Sequence, residues 1–337
     1  MQPLDGTPVL VTGAAGFIGS HLVERLLSEG AHVRAFLRYD SQNRLGRLTE
    51  LPESDRARIT IVRGDLKDPE AVRRAASGCE VVFHLGALIA IPFSYQNPTD
   101  YVQTNVVGTL HVLNACRDAG VRRLIQTSTS EVYGTARQVP ITLSHPRQAQ
   151  SPYAASKIAA DALAESYARA YDLPVVILRP FNTYGPRQSP RAVIPTIVSQ
   201  ALKGETVRLG SIHPTRDFLY VSDTVSGFIA AATAPDLPPG IELQIGTGSE
   251  SSVEDVVRSV ADCLGKPLQI ICEDHRVRPA GSEVERLLCD PGEARRRLNW
   301  SPTVTLKDGL RRVIDWMTKS PATPVDEAPV DVHSYIV

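Results

Sequence analysis

Four side chains lie close enough in the chain to act together: Thr129, Glu131, Tyr153 and Lys157. A Tyr and a Lys at this spacing fall on one face of a helix, a turn apart. An ammonium held near a phenol favours the phenolate and lowers the Tyr pKa from its usual value of about 10. Tyr153 is therefore a candidate general base. The run Thr127-Ser128-Thr129-Ser130-Glu131-Val132-Tyr133-Gly134 follows Val121–Gln126, a short apolar stretch that reads as a buried strand. If the two-residue strand period continues, Thr129 and Glu131 face one pocket and Ser130 points elsewhere. In open α/β sheets, ligands bind beyond the carboxyl ends of the strands. A Tyr and a Lys four apart are common on ordinary helices, so the weight of this pair comes from its upstream neighbours.

Those neighbours form a dinucleotide-binding pattern. Pro8–Thr12 reads as a strand, followed by Gly13-Ala14-Ala15-Gly16-Phe17-Ile18-Gly19 and a helix over Ser20–Glu29. Gly13 permits a tight turn, Gly16 lets a pyrophosphate approach the backbone, and Gly19 lets helix and strand pack closely. The pyrophosphate would meet the helix N-terminus beside Phe17 and Ile18. A second strand, Ala31–Arg38, ends without the acid that commonly accepts from the ribose 2′-hydroxyl. Arg38 stands there, to face a 2′-phosphate, stack on adenine or point into solvent, and the nearest acid is Asp40. The pattern thus implies NAD or NADP without choosing between them. Ile59–Val62 is a third strand leading to Gly64-Asp65-Leu66, where Asp65 either bonds the adenine or caps a helix. Val81–Ala87 is a fourth; its small-residue loop, with Leu85 and Ala87, suits close backbone approach to a cofactor, and His84 reads as a packed strand residue.

Ile89–Pro98 reads as an aromatic loop beside the substrate or as a packed Ω-loop. Helices are expected over Tyr101–Ala119 and Tyr153–Tyr171, and a strand over Val175–Leu178. Beyond this the regular alternation stops. Ala192–Lys203 and Ser252–Leu264 read as helices, Thr215–Asp223 as a strand entering a helix, Gln244–Gly248 as a turn, Arg278–Arg286 as a polar loop and Leu306–Thr318 as the last helix. The expected architecture is α/β: a doubly wound parallel sheet over residues 1–180, a smaller α/β substrate-binding unit over 181–318, with about 215–245 returning to the sheet, and a mobile Pro-rich tail over 319–337.

Composition bounds the possibilities. The 337 residues are 42% hydrophobic and 22% charged, ordinary for a globular protein. A formal net charge of −1 gives no electrostatic pull toward nucleic acid or a membrane surface. The five cysteines are scattered, without a Cys-x-x-Cys pair, and the eight histidines form no close pair. This pattern predicts reduced thiols in a cytoplasmic protein and no metal site. No apolar run approaches membrane-spanning length.

With these motifs in place, the chain resembles the extended short-chain dehydrogenase/reductase family of nucleotide-sugar enzymes over about residues 8–318. The resemblance rests on Gly13/Gly16/Gly19, Asp65, Thr129-Ser130-Glu131, Tyr153/Lys157, Arg179-Pro180-Phe181-Asn182-Thr183-Tyr184-Gly185-Pro186, Arg216–Asp223 and the run from Arg278. It is closest to the 4,6-dehydratases, in the hexosamine branch named for legionaminic-acid biosynthesis. The resemblance implies a tightly bound, recycled NAD+ or NADP+, a UDP- or GDP-hexose such as an N-acetylhexosamine as substrate, and a homodimer built on the helices beginning near Gln103 and Tyr153. It makes Tyr153 the base at the C4 hydroxyl, Lys157 its partner on the nicotinamide ribose, and Thr129 a hydrogen-bond donor to the same hydroxyl. Asn182 and Arg216 would contact the diphosphate, with Arg191 and Arg286 as further diphosphate or sugar contacts.

The resemblance breaks at Ser130, where the deoxythymidine-diphosphoglucose dehydratases carry the Asp that protonates the leaving C6 hydroxyl and the guanosine-diphosphomannose enzymes carry Ser. That acid stays unassigned, with Ser130 and Glu131 both in the catalytic set. Besides a 4,6-dehydratase, three alternatives fit the pattern: a 4-epimerase, a dehydratase stopping at the 5,6-ene, and a non-catalytic NAD(P)-binding regulator. Glu131 argues for dehydration, since an epimerase needs no carboxylate there, and the intact Thr129, Tyr153 and Lys157 argue against a regulator.

Overall fold

A computed structural model describes residues 4–276 and 280–319. Arg278 and nearly all of the expected tail lie outside the described residues. Six strands alternate with helices through the first half of the chain: β1 (Pro8–Thr12), β2 (His32–Arg38), β3 (Thr60–Gly64), β4 (Val81–His84), β5 (Arg123–Thr127) and β6 (Val175–Pro180). With a seventh strand, Ile241–Ile245, they form one sheet in the order Ile241–Ile245, β6, β5, β4, β1, β2, β3, every pair parallel. This is the doubly wound arrangement, with its crevice where the order reverses between β1 and β4.

Burial on both faces explains why these strands read as continuous apolar runs. Val9 and Val11 of β1 join one apolar cluster and Leu10 the other; Val81 and Phe83 of β4 divide from Val82 in the same way, as do Val176 and Leu178 of β6 from Val175 and Ile177. The first cluster continues into the smaller part of the molecule through Ile194, Val256 and Leu310. There, helices Val193–Lys203, Val253–Leu264 and Leu306–Lys319 pack together beside three small sheets.

Three expectations change. Gln244 and Ile245 end a sheet strand rather than opening a turn, which begins at Gly246. Its polar residues hid it: Glu242 takes an ion pair from Arg179 at 3.2 Å, and buried Gln244 accepts from Tyr133 at 3.0 Å. The aromatic loop contains a short helix, Ile91–Gln96. The helix through Tyr101–Ala119 is π-helical over Val102–Val107, with α-helix resuming at Gly108. A π segment shifts side chains out of α register and often marks a functional site; here it carries Asn105.

Two Asp residues of the matched motifs hold the smaller part together. Asp217 accepts from the backbone N–H groups of Thr247, Gly248 and Cys289 at 2.8, 2.9 and 3.3 Å. Asp223 accepts from Thr303 N, Thr303 Oγ1 and Val304 N at 3.0, 2.8 and 2.9 Å. Cys79, Cys116 and Cys289 are buried, Cys263 is half-buried and Cys272 is exposed, all as free thiols. No helix among the described residues is long and apolar enough to cross a membrane.

His84 packs inside the sheet, as its place in the strand predicted. Its Nδ1 lies 2.7 Å from Thr12 Oγ1 and its Nε2 3.2 Å from Thr109 Oγ1. Thr109 donates to the Asn105 carbonyl, so it accepts from His84 Nε2–H, and Thr12 then donates to Nδ1. The ring is neutral, and burial pushes its pKa down to about 3. His21, bonded to the Pro186 carbonyl, is pushed down to about 4, chiefly by burial. Both folded values lie below the ordinary 6.5, so as pH falls the unfolded chain takes up protons before the folded one. The folded protein keeps this stability above pH 6.5 and loses it below, at a limiting ~1.4 kcal/mol per pH unit for each ring. Urea midpoints at pH 7, 6 and 5 should fall progressively, and His21→Gln, which preserves a donor to Pro186, should make that fall shallower. Equal slopes for variant and wild type would contradict this account.

Candidate functional site

The glycine turn after β1 is shaped by close backbone contacts. Gly13 has φ +69°, and a Cβ there would lie 2.8 Å from Gly86 N. A Cβ at Gly19 would lie 2.2 Å from the Gly13 carbonyl oxygen. Gly16 is different: its φ is −81°, and a Cβ would meet only the Gly13 carbonyl oxygen, at 3.2 Å. Helix α1 (Phe17–Ser28) starts just after it with no side-chain cap. Its first N–H groups therefore point into a space kept clear by Gly16, a site suited to a pyrophosphate.

The expected adenine-side residues stand at the ends of β2 and β3. Arg38 is exposed and pairs in register with Gly64. Asp40 is engaged by Arg44 Nε at 2.5 Å and Gln42 N at 3.0 Å. Asp65 accepts from Lys67 N at 2.9 Å, while Asp68 is the residue that caps the following helix. Leu66 is buried against Gly86 and Gly108, and Leu85 and Ala87 flank Gly86 on the adjoining loop. These residues fit a nicotinamide dinucleotide lying across the carboxyl edge from β3 to β5.

The loop after β4 is tied to the helix carrying Tyr153, Pro152–Tyr171. Gly86 N donates to Thr12 Oγ1 at 3.0 Å. Asn105, on the π segment, accepts from Leu88 N at 2.8 Å and donates at 2.9 Å to both the Leu88 carbonyl and Ser156 Oγ. Ser156 in turn donates to the Tyr153 carbonyl at 2.7 Å. Side-chain bonds thus fix the glycine turn, this loop and the Tyr153 helix relative to one another.

Tyr153 and Lys157 share the buried face of their helix, as their spacing required. The expected depression of Tyr153 does not occur. Burial, the leading cause, pushes its pKa above the usual value; a hydrogen bond with Thr129 opposes this and the Glu131 charge adds to it. Lys157, whose Nζ donates to the Thr127 carbonyl at 2.6 Å, does not reverse this rise. Tyr101 packs edge-on over the Tyr153 ring, with centroids 6.3 Å apart and an 80° interplanar angle. Lys157 is itself pushed down, first by burial.

The chain also turns sooner than strand alternation predicted. β5 ends at Thr127, and Ser130–Tyr133 is a 3-10 turn capped by Thr129, whose Oγ1 accepts from Glu131 N at 3.2 Å. Thr129 meets Tyr153, Ser130 is buried, and Glu131 enters the wall of a cleft of about 430 Å³. No ion pair or side-chain hydrogen bond of the Glu131 carboxylate is present among the described residues.

Asn182, Arg191 and Arg216 line the same cleft. The buried Oδ1 of Asn182 has no hydrogen-bond partner. Arg286 does not line it: its guanidinium is turned to Glu250, with Nε 2.9 and 3.0 Å from the two carboxylate oxygens. Short pairing of Arg286–Leu287 with Thr215–Arg216 places Arg286 opposite Thr215, next to Arg216 in the sheet but outside the cleft. Sequence reasoning missed Arg208 and Arg276, which line the cleft and share Glu273 behind it, at 3.2 and 2.6 Å. It also missed Glu283, 3.4 Å from Arg216. Neither arginine has a spacing signal; Arg208 sits on a short strand and Arg276 in a loop turn. Four guanidiniums, with the carboxylates of Glu131 and Glu283 in the same wall, give the cleft the paired donors that suit a phosphate group.

The glycine geometry separates folding from binding. Gly16→Val should fold, because its backbone is ordinary and only one carbonyl must shift, yet the side chain fills the space at the start of α1. Purified variant should carry less than a tenth of the wild-type nicotinamide dinucleotide, measured by extraction and chromatography. A full complement in the variant would remove the cofactor from this turn.

Comparison with known proteins agrees with this geometry. Residues 10–313 match the family model described as GDP-mannose 4,6 dehydratase. UDP-glucose 4-epimerase of Mycolicibacterium smegmatis is 36% identical over 313 residues, 91% of this chain and 97% of the relative. Among solved structures, a mutant UDP-glucuronic acid 4-epimerase from Bacillus cereus, in complex with UDP-4-deoxy-4-fluoro-glucuronic acid and NAD, is 29% identical with a TM-score of 0.85, covering 93% of this chain and 99% of that one. The dTDP-glucose 4,6-dehydratase of Streptomyces venezuelae, solved with NAD, is 33% identical with a TM-score of 0.82, covering 93% and 97%. The chain belongs to the GDP-mannose 4,6 dehydratase family of the extended short-chain dehydrogenases/reductases.

Proposed function

We propose that this protein is an NAD-dependent nucleotide-sugar 4,6-dehydratase acting on a UDP- or GDP-hexose, such as an N-acetylhexosamine, and releasing a 4-keto-6-deoxy sugar. The observation that carries the reading is Glu131: a carboxylate in the cleft wall, close enough for its charge to act on Tyr153. NAD is favoured by the solved relatives that hold it.

The diphosphate lies among Arg191, Arg208, Arg216 and Arg276, with the Asn182 amide beside it. This leaves the hexose between Glu131 and Tyr153. When bound at the glycine turn, NAD+ would supply a hydride acceptor for C4 and, once water has left, the hydride for C6 while C5 regains a proton; its positive ring would favour a phenolate nearby. Tyr153 takes the C4-hydroxyl proton, guided by Thr129, and Lys157 helps hold the ribose. A C4 ketone acidifies the neighbouring C5 hydrogen, because the carbanion formed is an enolate. Glu131 removes that proton, assistance typically worth ~10²–10⁴-fold in rate. Its protonated form can then donate to the leaving C6 hydroxyl, since buried Ser130 is a weak acid by comparison.

Glu131→Gln keeps the size and removes the base. It should still oxidise C4, seen as reduced-nicotinamide absorbance, but lose C5 exchange with solvent and the loss of one water by mass. Wild-type dehydration by this variant would defeat the reading. A 4-epimerase is the second reading, favoured by the epimerase names of several relatives; it takes over if the wild type inverts C4 and releases no water on any UDP-, GDP- or dTDP-hexose.

The enzyme works as a homodimer. The Tyr153 helix exposes Ala155 and Ala162 on the side away from the sheet, and Val102 on the neighbouring helix is 49% exposed. Small side chains there let helices approach closely across a two-fold axis. A mass of twice the chain at micromolar concentration is expected, falling to one chain in Ala162→Arg. A monomeric wild type would refute the arrangement.

A further inference from the structure

Tyr153, Lys157 and Asp161 form an i, i+4, i+8 stripe on one helix, and the third member has no part in the scheme above. Asp161 is fully buried. Its Oδ2 accepts from Ser128 Oγ at 2.5 Å and from Arg179 Nη2 at 2.9 Å, while its Oδ1 has no hydrogen-bond partner. Arg179, on β6, is buried without any exposure, and its Nη1 reaches Tyr133 OH at 2.9 Å and Glu242 at 3.2 Å. Two cations, Lys157 and Arg179, therefore sit in one desolvated region, where like charges drive the more easily neutralised one to lose its proton.

We infer that Asp161 is a positioning residue for the nucleotide-sugar chemistry: its buried charge, one helical turn from Lys157, keeps that ammonium charged against the buried guanidinium of Arg179. The groups around Lys157 support this from every side. On its own helix stand Tyr153 and Asp161; β5 offers only the Thr127 carbonyl; β4 carries neutral His84; β6 carries Arg179. Among the described residues, Asp161 is the anion that acts on Lys157, favouring the charged form, and Arg179 acts the other way. Glu242 does not enter that balance; it joins Arg179 to Arg147, which continues outward to Glu165 at 2.7 Å. The charges alternate from Lys157 through Asp161, Arg179, Glu242 and Arg147 to Glu165. The role matters because Lys157 must stay protonated to hold the ribose and support a phenolate at Tyr153.

The inference rests on the proposed reaction only for its consequence, and its test reads Lys157 directly. In protein labelled with 13C-lysine, the Lys157 Cε signal, assigned by its loss in Lys157→Arg, reports the ammonium as pH is raised. Asp161→Asn keeps the shape and the acceptor for Ser128, and should move the Lys157 midpoint down by about one pH unit or more. Asp161→Glu should restore it. Glu242→Gln removes an anion from the same buried network and should lower the melting temperature while leaving the midpoint where it was. In wild type and Asp161→Asn, the basic limb of nicotinamide reduction by substrate should follow the NMR midpoints, with KM unchanged because Asp161 is outside the cleft. If Asp161→Asn does not fold, Ser128→Ala serves: with one donor gone, the carboxylate's charge is less spread and the midpoint should rise. A midpoint unmoved in the folded variant means that Asp161 serves Arg179 alone, and overturns the inference. Failure to dehydrate any sugar leaves the NMR result standing and defeats only the proposed reaction.

Discussion

Arg179 is a full positive charge with no access to water, and much of the architecture answers to it. An unpaired buried guanidinium would cost several kcal/mol. The chain surrounds it with Asp161, Glu242, the Ser128 hydroxyl and the Tyr133 phenol, whose ring also lies 5.1 Å below its carbon. These partners come from the Tyr153 helix, from the edge strand Ile241–Ile245, and from the segment that turns after β5. Satisfying one side chain thus locks the elements that bear Tyr153 and Glu131 to the edge strand and to β6, the strand that leads into Asn182. The arrangement explains why a polar strand lies at the edge of an otherwise apolar sheet, and why the chain returns to the sheet after leaving it.

A second constraint acts at the front of the site. Tyr153 is buried, and burial opposes the phenolate that a base requires. The Thr129 hydrogen bond gives only partial relief, and Lys157 does not reverse the rise. In the proposed reaction the balance would be completed by positive charge arriving with the cofactor, making base strength conditional on a loaded site. The threonine, histidine and asparagine bonds running from the glycine turn to Ser156 keep the two halves of that site in register without placing another charge there.

How far such a site can be read from sequence depends on how local each feature is. Strand, glycine turn and helix are adjacent in the chain, and the reasons for Gly13 and Gly19 are backbone contacts within a few residues or with the next strand, so the doubly wound sheet and its binding turn were legible. Tyr153 and Lys157 were legible because helical periodicity alone puts them on one face. Glu131 was found for a reason that proved incomplete: strand alternation does not extend past Thr127, and a 3-10 turn delivers the side chain to the cleft instead. The motif run Arg216–Asp223 mixed two kinds of residue that sequence cannot separate, a cleft arginine and two aspartates that tie down distant backbone.

The sequence by itself determined the fold class, the glycine turn, the shared face of Tyr153 and Lys157 and the singling out of Asn182 and Arg216, because each depends on short-range spacing or on a contiguous motif. Only the tertiary structure decided which arginines line the cleft. Arg208 reaches the cleft from a short strand and Arg276 from a loop turn, whereas Arg286 is drawn aside by Glu250, and no local spacing encodes that choice. Only the tertiary structure, too, decided the charge states: the direction in which Tyr153, Lys157 and His84 shift is set by desolvation and by charges brought from other strands. Burial is a property of the packed chain, since water is removed from these groups only when the sheet and its helices close around them.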